Sequence, residues 1–244
     1  MSLNVRILLS LIKLGAPYAD LSVISQDARV PAEVVRTALR KLADDHLIQL
    51  DEGSARVSSS QRLDLAVLAL KGGVDIERVC QDLGWQAFED LVALILEANG
   101  FSTQKHYRFR TPSRRFEIDV LGLKKPLVLL IECKRWTKSW QRSATMKIVE
   151  THLARTKAFR NAFHEVRESL GLAGWSEAWL FPLILTLSET PLKTYQQVPV
   201  IPIFYFHAFI TDEVHSRLDE AAFYTVVDGT TAQPASSLGA HRSG

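Results

Sequence analysis

Residues 114–136 read RRFEIDVLGLKKPLVLLIECKRW. Within them PLVLLI (126–131) is an unbroken apolar run, the pattern of a central strand buried on both faces. Glu132 and Lys134 terminate the run. Side chains alternate along a strand, so these two point to one face. Asp119 lies on the preceding stretch, joined through the short LGLKK connection, and hairpin pairing brings it beside Glu132. Two carboxylates and an ammonium thus converge at the end of a buried sheet.

Burying ionised groups costs on the order of several kcal/mol each unless they are paired or bind a metal, and adjacent carboxylates repel each other. A divalent cation removes both difficulties. Mg2+ takes hard oxygen ligands, typically one or two carboxylates, and keeps waters that a phosphate can replace; Mn2+ suits the same donors. Lys134 is then placed to orient or help deprotonate an attacking water, while the cation polarises the phosphoryl oxygen. The competing reading is a structural ion pair between Lys134 and one acid, with the second acid exposed. It gives no cause for the charge pattern around the site.

That pattern is hidden in the totals. The chain has 244 residues, 47% hydrophobic and 23% charged, which excludes a wholly disordered, collagen-like or low-complexity protein and fits one or two domains. The net charge is only +2. Residues 104–160, however, hold 15 Lys+Arg and four acids, a local +11, against −9 for the remainder. A polyanion-binding surface and a solvated charged face are the two readings of such a block.

Apolar residues at helical spacing predict helices over 4–15 and 18–28 and a third beginning at Pro31, with Val34, Val35, Ala38, Leu39 and Leu42 as its stripe. LIQLDEGSARVSS (47–59) reads as two short strands around a turn. Residues 1–58 are read as one domain and 59–81 as a helical linker that stops at Gly72-Gly73. Over 82–225 the pattern is a helix, strands near 102–110, 115–123 and 126–135, a long helix over 142–169, strands at 177–187 and 199–210, and a last helix to about 222. Residues 226–244 are polar and small, the composition of a disordered tail.

Asp119, twelve intervening residues and then Glu132-Cys133-Lys134 resembles the motif of the PD-(D/E)XK nuclease superfamily, an acid followed by acid-x-Lys at the end of a core strand. The helix WQAFEDLVALILEANGF resembles the one that precedes those strands in the branch of archaeal Holliday junction resolvases and Mrr-type restriction endonucleases. There a glutamate on the helix reaches the site; here it would be Glu89. The resemblance covers about residues 82–190 and implies an α/β fold, a restriction-endonuclease-like αβββαβ core with a mixed sheet. It implies Mg2+ or Mn2+ held by Asp119, Glu132, Glu89 and the Cys133 backbone carbonyl, and DNA cut to a 5′-phosphate and a 3′-hydroxyl. Ile118 stands where the superfamily's nominal proline would be.

Three helices and a hairpin over 1–58 resemble a winged helix-turn-helix domain, whose third helix enters the major groove and here would present Arg36, Arg40 and Lys41. The same residues hold seven basic and seven acidic side chains, so bulk charge gives no attraction to DNA. A dimerisation or partner-binding module is the alternative. Arg114, Arg115, Arg135 and Lys138 are candidate phosphate contacts; Trp136 and Trp140 are read equally as base-stacking or as packing residues. Glu117 shares strand parity with Asp119 and is read as a solvated strand-end acid or, in the alternative, as a substitute ligand; His106, His152 and His164 are read as solvated or helix-surface residues.

The expected activity is a metal-dependent DNA endonuclease. A winged-helix DNA-binding or regulatory protein with a non-catalytic nuclease-like domain is the alternative, and a nuclease subunit working with a helicase or other partner is a third reading. The resemblance to resolvases and restriction enzymes, many of which act as dimers, implies a homodimer, with the apolar strand near 199–210 as its candidate interface. Cys80 and Cys133 are too few for a disulfide framework, no apolar run reaches membrane-spanning length, and the N-terminus lacks a signal-peptide cleavage pattern, so a cytoplasmic protein is expected.

Overall fold

The computed structural model describes residues 3–14, 18–51, 53–112, 114–134, 141–214, 224–227 and 230–231. The chain divides into two compact units, residues 1–91 and 92–244.

The first unit opens with helix α1 (Leu3–Leu14), on which Val5, Ile7, Leu8, Leu9, Leu11 and Ile12 are all buried. A helix apolar nearly all round must be enclosed by its neighbours. Strand β1 (Tyr18–Asp20), α2 (Leu21–Ala28), α3 (Ala32–Asp44), β2 (Gln49–Asp51) and β3 (Ser54–Arg56) follow, and the strands form an antiparallel sheet in the order β1-β3-β2. β1 takes the start of the helix expected from residue 18, because buried Ala19 sits between exposed Tyr18 and Asp20 in strand alternation, opposite Ala55. On α3, Val35, Leu39 and Leu42 are buried, whereas Val34 faces solvent.

Helices α4 (Ser59–Lys71) and α5 (Ile76–Leu83) pack on α1 within this unit. A capping box between Ser58 and Gln61 starts α4, and Leu65, Ala66 and Ala69 carry its buried face. Arg62 then donates from Nε to the Ile12 carbonyl at 3.0 Å and from Nη2 to the Leu83 carbonyl at 3.0 Å. It serves carbonyls that the ends of α1 and α5 leave without helical partners. The segment expected as a linker over 59–81 is therefore core of the first unit, and the division falls inside α6 (Trp85–Ala98).

In the second unit, β4 (Ser102–Arg110), β5 (Arg115–Lys124) and β6 (Leu127–Lys134) form an antiparallel meander. Helix α7 (Arg142–Asn161) crosses over to β7 (Glu177–Thr186), which runs parallel to β6. With α6 this is the αβββαβ order. Gly122 permits the close approach of α6: a Cβ there would meet Leu96 Cδ1 at 3.1 Å. In the core cluster of this unit, Val149, Leu153 and Phe159 of α7 join Leu121, Leu123, Val128 and Leu130 of the sheet.

Three expectations are corrected in this unit. The helix expected over 142–169 ends at Asn161, and a separate turn, α8 (Phe163–Val166), follows Ala162. The strand expected at 199–210 is two elements: after β8 (Thr194–Tyr195), β9 (Val198–Pro202) stops at Pro202, which starts α9 (Ile203–Ala208), and a π-helical turn continues over Phe209–Glu213. An apolar run without periodicity fits a buried helix as well as a strand. β9 pairs in parallel with the second half of β7, and Val198, Val200, Ile201, Ile203, Phe206 and Phe209 are buried in the chain's own core, so these side chains are not a free dimer face. The third concerns the tail. β10 (Tyr224–Val227) pairs antiparallel with the first half of β7 and β11 (Thr230–Thr231) with β10, giving an eight-stranded mixed sheet. Most of the expected last helix, and the tail beyond residue 231, lie outside the described residues.

No helix among the described residues is long and apolar enough to cross a membrane.

Candidate active site

β5 and β6 are paired as far as Val120 opposite Ile131, and the next residues outward are Asp119 and Glu132. There the strands stop exchanging backbone bonds. Oδ2 of Asp119 instead accepts the Cys133 N–H at 2.8 Å. The Lys134 carbonyl accepts from Leu187 on the β7 side. Successive peptide groups of a strand face opposite neighbours, so the N–H and carbonyl of Cys133 both face Asp119, while its side chain is buried as a small apolar group.

Glu132 is 5% exposed. Lys134 Nζ lies 2.6 Å from its Oε1, and Arg155 Nη1 donates to its Oε2. Arg155 comes from α7, one turn beyond His152, which is wholly buried, with Nδ1 at 3.9 Å from Glu132 Oε2. His152 Nε2 lies 2.8 Å from the Leu130 carbonyl. Since a carbonyl only accepts, Nε2 carries the proton and Nδ1 turns its lone pair toward the glutamate.

The two carboxylates are driven apart in acidity. Burial, and then the negative charge of Glu132, push Asp119 up to about 6 against the partial relief of the Cys133 amide. Burial opposes ionisation of Glu132 as well, yet the surrounding cations hold its carboxyl below the usual range. Burial depresses His152 to about 4, so near neutrality that support comes from Lys134 and Arg155.

The donor set bears on whether a cation fits. Among the described residues no group of three or more His, Cys, Asp or Glu side chains is arranged to hold a metal. Two adjacent carboxylates and a carbonyl facing them suit an ion that keeps several of its waters, as Mg2+ does. Burial and the neighbouring Glu132 both disfavour the ionised Asp119, a cost that a cation bound there would offset.

The remaining candidates are placed as follows. Glu89 is buried on α6, in the first unit. Glu117 is engaged on the β4 side, 2.7 Å from Arg108 Nε and 3.4 Å from His106 Nδ1, and hydrogen bonding from Arg108 holds its carboxyl below the usual range. Arg114 and Arg115 are exposed at the β4–β5 turn. Arg135, Lys138, Trp136 and Trp140 lie outside the described residues. Arg36, Arg40 and Lys41 are exposed on α3, with Arg36 3.3 Å from Glu33. Sequence reasoning missed Arg155 and misplaced His152, expected at the surface. The signal available was a polar interruption of the inward face of α7, where Thr145, His152 and Thr156 are all fully buried.

Comparison with known proteins bears on this geometry. Residues 80–163 match the restriction endonuclease family model. The match supports the PD-(D/E)XK nuclease superfamily for this segment. The matched segment contains Asp119, Glu132, Lys134, His152 and Arg155. An uncharacterised protein of Archaeoglobus fulgidus is 27% identical over 140 residues, covering 57% of this chain and 98% of the relative. Among solved structures, a protein of unknown function, AF1548, is 22% identical over 41% of this chain and 46% of its own, with a TM-score of 0.26. The Vibrio cholerae protein VC1899 is 12% identical over 88% of this chain and 50% of its own, with a TM-score of 0.36. The chain spans about half the length of these two structures.

Proposed function

We propose that the protein is a metal-dependent DNA endonuclease whose restriction-endonuclease domain hydrolyses phosphodiester bonds at Asp119, Glu132 and Lys134. The observation that carries this reading is the Asp119 carboxylate seated on the Cys133 amide beside Glu132, with the Lys134 ammonium 2.6 Å from that glutamate. Asp119, Glu132 and the Cys133 carbonyl would hold Mg2+ or Mn2+. Bound there, the ion supplies Lewis-acid polarisation of a phosphoryl oxygen and charge for the developing oxyanion.

The chain's own groups do the rest. The amide of Cys133 fixes the Asp119 carboxylate against rotation, so one oxygen is held by the protein and the other is left to turn outward. Arg155 holds Glu132 from the helix side, which leaves the lysine side of that carboxylate toward the strand end. Lys134, 23% exposed at its side chain, reaches solvent where Glu132 does not. Its ammonium orients a water and offsets negative charge at the phosphate. Glu89 enters on the resemblance alone, as a further carboxylate ligand, and residues 1–58 as a winged-helix module that binds DNA or a protein partner.

The test is incubation of the full chain with supercoiled, linear and four-way-junction DNA in Mg2+, Mn2+ or EDTA, alongside Asp119→Ala, Lys134→Ala and Glu89→Gln. Metal-dependent cleavage lost in the first two variants supports the enzyme, and loss in the third admits Glu89. Binding without cutting under every condition favours a non-catalytic platform.

A further inference from the structure

The β4–β5 hairpin ends in RFRTPSRR (108–115), four arginines with no acid between them. Arg110 and Arg115 are directly opposite each other in the ladder. Like charges in that position destabilise a sheet. Two ladder positions inward, on the same face, the situation is balanced, since Arg108 faces Glu117 and its Nε lies 2.7 Å from that carboxylate. Neither Arg110 nor Arg115 makes an ion pair or a side-chain hydrogen bond among the described residues. Glu117 is already shared by Arg108 and His106, so it does not balance the outer pair.

The turn that carries this pair is held in place. Thr111 donates its N–H to the Arg114 carbonyl at 2.9 Å and accepts the Arg114 N–H on its hydroxyl at 3.4 Å, which closes the turn. The Arg114 guanidinium lies over the Phe116 ring, 4.2 Å from its centroid, and Phe116 stacks on buried Phe109 at 5.2 Å. Arg108, Arg110, Arg115, Phe109, Phe116 and Glu117 together line one surface depression. Guanidinium groups match phosphate oxygens in a bidentate fork, and an anion between two of them removes the repulsion the bare hairpin carries. Arg115 is four residues from Asp119 on β5, about 13 Å at the strand rise, so the phosphate concerned is not the reacting one.

We propose that Arg110 and Arg115 form a clamp for a nucleic-acid backbone phosphate distant from the cleavage site. This rests on the reading of the domain as one that acts on DNA, and it names where the backbone is gripped.

The experiment measures binding of the full chain to a fluorescein-labelled duplex in EDTA, as fluorescence anisotropy over a salt series. Wild type is compared with R110A/R115A, with R110K/R115K, and with K71A/K193A, which removes two exposed charges elsewhere. Losing two phosphate contacts lowers the slope of log K against log salt by about 1.8 and weakens binding roughly tenfold. The lysine pair keeps most of the slope, K71A/K193A keeps all of it, and R110A/R115A melts no lower than wild type because a like-charge pair is gone. If wild type binds and cuts DNA but R110A/R115A keeps its slope, or loses no more than K71A/K193A, the clamp is wrong and the nuclease reading stands. If wild type neither binds nor cuts DNA, the nuclease reading and the clamp both fail.

Discussion

The Asp119 carboxylate accepts the backbone N–H of Cys133 at 2.8 Å, one position beyond the last paired residues of β5 and β6. A side chain thereby occupies the place a strand backbone would otherwise fill. The anchored carboxylate is set beside Glu132 in a partly buried site, and its proton affinity is the consequence: Asp119 is pushed up to about 6.

Asp119→Asn should therefore stabilise the metal-free protein above pH 6. Unfolded, Asp119 ionises near 3.8; folded, near 6. Below the first value it is protonated in both states and there is no penalty. Above the second, folding carries the full difference, roughly 3 kcal/mol. Asparagine keeps an acceptor for the Cys133 amide without the charge. Chemical denaturation in EDTA should show the variant more stable at pH 7.5 and equal to wild type near pH 4.

His152 acts in nearly the same window with the opposite sign. Its folded value of about 4 lies below the ordinary 6.5, so stability is lost as pH falls through that interval. Asp119 gains stability over the same fall. Wild type should thus change little between pH 6.5 and 4 on account of these two groups, and Asp119→Asn should expose the acid-side loss due to His152. A denaturant midpoint that falls no more steeply in the variant than in wild type would contradict this.

Arg155→Met removes one of the two cations on Glu132 and leaves the other. A lost charged hydrogen bond to a buried acceptor costs about 2 kcal/mol. Urea midpoints at pH 7.5 should fall accordingly. In a Glu132→Gln background the same substitution should cost much less, which a double-mutant cycle measures directly.

In the first unit, Arg62→Ala should cost about 2–3 kcal/mol by stranding the carbonyls of Ile12 and Leu83. Gly122→Val, in the second, should cost about 2 kcal/mol by forcing side-chain atoms into Leu96, already 3.1 Å from a bare Cβ. Thermal unfolding of each variant reads both.

The sheet that carries the site was legible because PLVLLI is too short for a buried helix, opens on a proline and is ended abruptly by Glu132 and Lys134. The order α6-β4-β5-β6-α7-β7 followed from it. What was not legible shares a cause: local pattern does not say what an apolar segment packs against. VPVIPIFYFHAF is apolar but for His207, so neither its change from strand to helix at Pro202 nor its burial beside β7 could be read from period. Ser59–Lys71 read as a linker because the surfaces that Leu65 and Ala69 cover are distant in sequence. His152 and Arg155 were missed for the same reason. Their partner, Glu132, lies 20 or more residues earlier and meets them only when α7 crosses back over the sheet.

Calorimetric titration of Mn2+ into the metal-free full chain, compared between wild type and Asp119→Asn at pH 7.5, tests the central claim most directly. The account predicts a saturable site in wild type and at least a tenfold loss of affinity in a variant that is folded and more stable. Equal affinity in the two proteins, or no Mn2+ binding by wild type even with duplex DNA present, would contradict it.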